Sequence, residues 1–399
     1  MIRTTLYVLL AVLSLPRGLA ADRIEKQVPV TAGQRLDLEL ETGAAVAVHG
    51  AAVSAAVVVV DREGRDAADV EVTVEPTPSG GVRIRTRFAG RGRSYSSSLR
   101  LDVRVPRRFG VELDSTGGGV HLDGLEGRFH GRTMGGELEL TQLTGEVDLT
   151  TLGGDVRVAR SKLNGKVSTH GGNVRFDDVE GDVEGSSLGG TVTYRNVRGG
   201  RQPAGATERS GRRGSGGTTP AAAAAESAHG AVVMSSLGGD LDVEHAPDGA
   251  DLKTLGGNVR VRSAGRYVKA QTLGGDIVID QVDGRVDATT MGGNITVNMV
   301  GGAAGDRRVH LDSKSGELRL AVPSDLAMAV DIHLYYTRDS RRSYRVHSDF
   351  PLKIEESGEW DTTHGSPRKL IRATGRQGAG THRIELVTIN GDIYLTRAK

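Results

Sequence analysis

Cysteine is missing from all 399 positions of this chain. Its absence excludes disulfides, thiolate metal sites, cysteine nucleophiles and a lipid anchor on a cysteine after a signal peptide. Any stability in an oxidising compartment must therefore come from packing and hydrogen bonds. Aromatic residues are also scarce at 4%, and hydrophobic residues of all kinds reach only 37%, which suits many thin cores better than one thick one. A surplus of one charge is lacking as well. Without Arg3 and Arg17, which lie in an N-terminal leader, 49 of the 51 basic residues face 50 acidic ones, so no polyelectrolyte partner is implied and nucleic acid is not expected.

Catalytic signatures are absent too. No HExxH helix, G-x-S-x-G elbow or G-x-x-x-x-G-K-[ST] loop occurs, and the eleven histidines are scattered singly. No catalytic, cofactor-binding or metal residue is assigned, and the chain is not expected to be an enzyme.

At the N-terminus, Arg3, the apolar run Leu6 to Leu15 and the small residues of Gly18-Leu19-Ala20 read as a secretory signal over 1–20. Export to the periplasm, cell surface or medium is the expectation. Residues 44–60 are apolar for 17 positions, but His49-Gly50 interrupt them and valines alternate with small residues. That alternation predicts two strands rather than a membrane span, so no transmembrane segment is expected in the mature chain.

Glycine is what the chain has in excess, 57 residues, about twice the usual share. Gly-Gly pairs begin at 117, 135, 153, 171 and 189, and again at 238, 256, 274 and 292, always 18 residues apart within each set. A fixed period of this kind marks a repeat architecture. Counting the first glycine as position 1, position 4 is aliphatic in every copy (Val120, Leu138, Val156 through Ile295) and position 6 is apolar (Leu122, Leu140, Val158 through Val297). Both side chains point to one face, inward.

A weaker half-repeat nine residues later, as in GGELELTQL and TGEVDLTTL, gives two short strands and two glycine turns per coil. The expected fold is all-β: a β-solenoid of about nine 18-residue coils, a rod of about 43 Å at about 4.8 Å per coil. An antiparallel meander of hairpins would show the same alternation and stays open.

Position 17 is always Ser or Thr, from Ser115 to Thr290, and is expected to line up hydroxyls that bond one another along the rod. Position 3 is Glu, Asp or Asn in seven copies, as in Asp155 and Asn173, an Asx preference read as local turn chemistry, with a cation row as the sharper alternative. The register excludes the calcium β-roll GGxGxDxUx, whose glycine and aspartate would fall where hydrocarbon stands here. Outward position 5 (His121, Glu139, Arg157 and onward) carries no recurring carboxylate pair, and Asp177-Asp178 are strand neighbours that point apart. His170, at position 18 where other copies mostly have Leu or Met, reads as a partly buried exception.

The 49-residue interval between the pairs at 189 and 238 is one period plus 31 residues. The extra segment, 199–229, is rich in Gly, Ser, Pro, Arg and Ala, includes Arg209, Arg212 and Arg213, and is expected to be a disordered surface insertion at one turn. Near the C-terminus, YYTRDSRRSYR (335–345) mixes Tyr and Arg as acidic-ligand sites do, although an exposed edge or loop explains it as well.

The GG-[DN]-[VI]-x-[VI] coils, the entry LRLDVRVPRRFGVELDSTGGGVHLDGLEG (99–127) and the closing SDFPL (348–352) and THRIELVTINGDIYL (381–395) resemble the bacterial putative adhesin family of β-strand-repeat domains of unknown function. The resemblance covers nearly all of the mature chain and implies adhesion as a role, but no site residues. Two departures stand out: the insertion, and Gly165, displaced by two positions and expected to bulge its strand.

The domain reading is thus a signal (1–20), an N-terminal β region acting as a cap (22–114), the solenoid (115–302) and a C-terminal β cap (303–399), with 324–330 short helical or irregular. The functional expectation is a non-catalytic adhesin-like or envelope scaffold that presents solenoid faces to a protein or glycan. The alternative is a self-associating structural protein stacked end to end, and a carbohydrate-active β-helix enzyme ranks last for want of paired acids.

Overall fold

The structure is a computed structural model that describes residues 22–78, 80–90, 97–199, 231–301, 305–340, 342–363 and 365–398. The expected signal over 1–20 and nearly all of the insertion over 199–229, with its Arg cluster, lie outside these residues. The described chain is all-β, its one helical element being the 3-10 turn Ala67–Asp69. No described helix is long and apolar enough to cross a membrane.

Two parallel ladders run through the molecule. In the first, Glu126–Thr133 pairs with Thr144–Thr151, which pairs with the second half of Val156–Thr169, and so onward. In the second, Leu138–Thr141 lies on Val120–Asp123 and beneath the first half of Val156–Thr169. Facing residues are 18 apart, as in Val156 with Val174 and Leu241 with Val259. Parallel pairing at this constant step is incompatible with a meander of hairpins, whose neighbours would run antiparallel. The step survives the insertion: Val192 faces Leu241, and Ser187 faces Ser236.

Sequence periodicity dictates the core. Positions 4 and 6 line the inside of the second ladder, and residues such as Val147, Leu149, Val167 and Leu252 line the first; all are buried. Where position 6 becomes large, the facing residue becomes small. Phe176 and Tyr194 pack with centroids 4.4 Å apart and planes tilted by 38°, and a Cβ on Gly185 opposite would fall 2.5 Å from the Phe176 ring. Tyr194 is wholly buried and donates its hydroxyl to the Val183 carbonyl at 2.9 Å, and burial pushes its phenol well above the ordinary range.

The second glycine of each pair is a steric requirement. A Cβ at Gly154, Gly190 or Gly257 would lie 1.9–2.1 Å from the carbonyl oxygen of the glycine one coil below, so only glycine lets neighbouring turns stack. The hydroxyl row at position 17 is buried, and its bonding differs from the expectation. Thr272 Oγ1 donates to the Gly257 carbonyl of the coil below (2.9 Å) and accepts from the Gly275 N–H of its own turn (3.2 Å). Thr151, Thr169, Ser187, Thr254 and Thr290 repeat this pair of contacts. Each hydroxyl thus partners two backbone groups of the glycine turns, which would otherwise be buried without a partner.

Position 3 differs in the same way. Asp240 Oδ1 accepts from the backbone N–H of Asn258 (2.7 Å), Asn258 Oδ1 from that of Asp276 (2.9 Å), and Asp276 Oδ1 from that of Asn294 (2.7 Å). These side chains bond the next coil instead of their own turn. Alternation of Asp with Asn also keeps like charges from facing each other at one coil's spacing.

Three smaller expectations are corrected. Gly165 causes no bulge: it faces Val147 and Val183 in unbroken register, with φ of +122° and no room for a Cβ 2.1 Å from the Val147 oxygen. The register break lies instead between Ile279 and Val282. The apolar stretch 44–60 does form two strands, Ala45–Ala51 and Ala55–Gly64, yet the first runs through His49-Gly50 to end at Ala51. Of the segment expected to be helical or irregular, 324 and 325 turn and 326 and 327 are irregular, but strand Met328–Thr337 takes 328–330.

The ladders continue past 115 and past 302. Arg35–Leu40 and Ala45–Ala51 lie beneath Gly110–Ser115 and Val120–Asp123, and Val82–Phe88 and Ser97–Pro106 lie beneath those in turn. At the other end His382–Ile389 and Ile393–Arg397 lie on Val309–Ser313 and Leu318–Val322. Met328–Thr337 and Val346–Ser348 then lie on His382–Ile389 and Ile393–Arg397. Antiparallel strands finish both ends.

Candidate functional site

The broad faces hold charges that satisfy one another. Because register partners are 18 residues apart, opposite charges at that spacing meet across strands: Arg128 with Glu146 and Arg262 with Glu244, each at 2.8 Å, and Lys162 with Glu180 at 2.9 Å. At outward position 5, His121 Nδ1 lies 3.1 Å from Glu139. The mixed signs seen in the sequence are thus a paired lattice. Asp177 is engaged by Arg175 (2.7 Å) and Asp178 by the Asn196 side-chain amide (2.5 Å), so the two act separately.

One carboxylate grouping was not legible in the repeats. Strands Arg35–Leu40 and Gly110–Ser115 place Asp37 beside Glu112 and Glu39 beside Asp114 in a shallow trough that Arg83, His130 and Arg132 also line. Guanidinium groups clamp them: Arg35 and Arg83 reach Asp37 at 2.6 and 3.3 Å, Arg83 reaches Glu39 at 3.1 Å, and Arg132 reaches Asp114 at 3.4 Å. Among the described residues no group of three or more metal-ligating side chains converges.

The C-terminal end has a different character. Five of the six cation–π contacts among the described residues are there. Cross-strand register builds one of them into a column: Arg319 faces Tyr394, which faces His347. The Arg319 guanidinium sits 4.4 Å from the Tyr394 centroid, and the His347 ring stacks on Tyr394 at 4.7 Å with planes 10° apart. His347 is exposed on Val346–Ser348, a strand that pairs on one side only, with Ile393–Arg397.

Met328–Thr337 carries a second cluster. Trp360 meets Tyr336 edge-on at 5.7 Å, Lys369 lies 5.3 Å from the Trp360 ring, and Arg368 lies 4.5 Å from that of Tyr335. The Tyr336 hydroxyl donates to Glu356, which together with partial burial pushes its phenol up to about 12. Asp331, held by the Arg372 guanidinium at 3.1 Å, is lowered below its ordinary range. Within 335–345, Tyr335 and Tyr336 thus belong to a strand and Tyr344 does not, while Arg342 is committed to the buried Asp392 at 2.7 Å. His347 and Tyr394 stood outside that segment and lacked the Gly-Gly marker, although TINGDIYL keeps the Thr, Gly, Asp, Ile and Leu of positions 17, 2, 3, 4 and 6.

No family model matches the sequence, and no curated protein matches it. Solved structures do. A putative cell adhesion protein from Clostridium sporogenes is 8% identical, covering 94% of this chain and 100% of its own at a TM-score of 0.19. A putative adhesin from Parabacteroides distasonis is 13% identical, covering 75% and 98% at 0.30. Another from Bacteroides fragilis is 12% identical, covering 71% and 99% at 0.26. All three are bacterial and described as adhesion proteins, in keeping with the family that the repeat motifs resemble. At such TM-scores the superpositions carry no weight of their own, and a functional reading has to rest on this chain's surfaces.

Proposed function

We propose that the chain is a β-solenoid of 18-residue coils with a β cap at each end, and a non-catalytic, adhesin-like binding module of the bacterial envelope whose C-terminal end engages a glycan or protein. The 18-residue register that recurs along both ladders supports the architecture. The signal-like N-terminus supports export to the periplasm or beyond.

The observation that carries the binding reading is the open-ended Arg319, Tyr394, His347 column. Its exposed imidazole continues a stack with a step of 4.7 Å, so a planar group or the apolar face of a sugar ring extends the column with the spacing already built in. Trp360, Tyr335 and Tyr336 with their cations add a second surface of the same chemistry at that end. An enzyme is disfavoured because, in the carboxylate grouping of the trough, arginines engage Asp37, Glu39 and Asp114. Purified protein is to be tested on glycan arrays and against envelope extracts, beside the His347→Ala and Trp360→Ala variants. Saturable binding lost in either variant supports the reading; no saturable partner, or binding indifferent to both substitutions, refutes it.

A further inference from the structure

Position 18, read from sequence as a core position with His170 as its exception, is on the surface. Met134, Leu188, Leu237, Leu255, Leu273 and Met291 are 41–55% exposed, Leu152 is half-buried, and His170 is exposed like its neighbours. They form a ridge one residue per coil, eight coils long, or about 34 Å at about 4.8 Å per step. Beside it runs a bare track made by both glycines of every pair. From Met134 to Gly293, positions 18, 1 and 2 contain no Lys, Arg, Asp or Glu.

The fold explains only half of that track. The second glycine has no room for a Cβ. The first does: a Cβ at Gly135 would meet nothing within 4 Å, and at Gly153, Gly171, Gly238, Gly256 and Gly292 its nearest neighbour would lie at 3.5–3.9 Å, an ordinary contact. None of these first glycines has a left-handed φ. The chain itself supplies the control. In the coil above, Gly316 keeps the second position, while Ser315 occupies the first and Lys314 the ridge. A side chain is therefore acceptable at position 1, as Asn390 of the closing strands also shows, yet it is withheld in all eight pairs from Gly135 to Gly293. Keeping the track bare serves something that approaches from outside.

We propose that the strip docks a second copy of this chain, the two rods lying side by side and parallel about a twofold axis along their length. The surface is self-complementary in that arrangement: the ridge of each copy seats on the glycine track of the other at the same coil level. The same rotation brings the acidic row at position 3 of one copy toward position 16 of the other, where Arg132 stands level with Glu137 and Lys253 lies between the levels of Asp240 and Asp276. A glycan fits the strip poorly, because it bears no aromatic ring, and a polyanion finds no cation on it. Three residues across at about 3.3 Å by about 34 Å gives about 340 Å² in projection. That is the size of apolar patch that marks an interaction site and is smaller than the ~800 Å² per partner of a standard permanent contact. The dimer is accordingly concentration-dependent.

Sedimentation velocity of the full-length protein over a concentration series tests this, together with Leu255→Lys/Leu273→Lys and Gly256→Ser/Gly274→Ser. The expected result is a dimer that grows with concentration, weakened at least tenfold by either double substitution, with thermal melts of both variants matching the parent. A monomer at every concentration overturns the proposal, as does a dimer that neither variant weakens. Unfolding of the glycine variant overturns its premise that position 1 is free. Flotation of monomeric protein with phosphatidylcholine vesicles, lost in the Lys variant, would assign the ridge to a lipid surface and overturn it too.

Discussion

Replacing Thr272 by Val tests whether the buried hydroxyl row is held by hydrogen bonds to backbone or merely by size. The hydroxyl serves two backbone groups, the Gly257 carbonyl at 2.9 Å and the Gly275 N–H at 3.2 Å, at a site only 3% exposed. Each of the two buried groups left without a partner costs about 1–3 kcal/mol, and the added methyl recovers about 0.8 kcal/mol, so a net loss of about 1–5 kcal/mol is expected. Thr272→Ser keeps the hydroxyl, loses one methyl, and should cost about 1 kcal/mol; Ser187 and Ser236 hold the same place in other coils. Stability in a repeat array is partly local, so amide exchange at Gly275 is to be measured beside chemical denaturation. The Val variant should accelerate Gly275 exchange selectively, and the Ser variant should not. If Ser destabilises more than Val, or Gly275 exchanges alike in both, packing and not hydrogen bonding fixes this residue, and the hydroxyl's role as partner to two backbone groups is refuted.

Gly257→Ala puts a Cβ 2.1 Å from the Gly239 oxygen and should cost more than 3 kcal/mol or abolish folding, whereas Gly256→Ala, with its nearest atom at 3.7 Å, should melt like the parent; paired thermal melts decide. Gly185→Val collides with the Phe176 ring and should lose about 1–3 kcal/mol, much of it restored by Phe176→Val, a coupling that a double-mutant cycle in urea reads directly. Tyr336 has its folded pKa raised to about 12 from 10.0, so its contribution is fully present below pH 10 and is lost as pH rises through 12. The neighbouring Trp360 is the sole tryptophan and reports that loss by fluorescence; Glu356→Gln should move the phenol titration toward its ordinary value, and an unmoved titration would discount the hydrogen bond.

Much of this fold was legible in nine Gly-Gly pairs. A strict step of 18 fixes which residues face one another, so positions 4 and 6, the hydroxyl row and the break at the insertion followed from spacing alone. Strand direction did not, since a period-two alternation is the same in parallel and antiparallel ladders. Position 18 was misread because a recurring Leu looks like core, although its place at a corner next to two glycines left nothing to cover it. The candidate site was the least legible part. Tyr394 and His347 are 47 positions apart and meet only because the closing strands stack out of chain order. Asp37 and Glu112 are hidden from a local reading for the same reason.

That exchange of order recurs at both ends and bears on how the ladders are finished. A parallel ladder has no natural last strand, and an open one is a template for another chain. Here the chain overshoots, returns beneath its own earlier coil, and completes each end with antiparallel strands. The outermost strands are poor templates. Asp22–Pro29 (DRIEKQVP) and Val70–Pro76 (VEVTVEP) carry charges and end in proline, Lys353–Glu356 (KIEE) is exposed throughout, and Val346–Ser348 has three residues. Proline and exposed charge on an edge are what keeps strands from pairing with strangers. Growth by stacking end to end, the structural alternative suggested by the repeats, is therefore opposed at both termini by the residues best placed to permit it. The uncharged flank from Met134 to Gly293 has no such guard, so the side-by-side association proposed above meets no opposition of this kind.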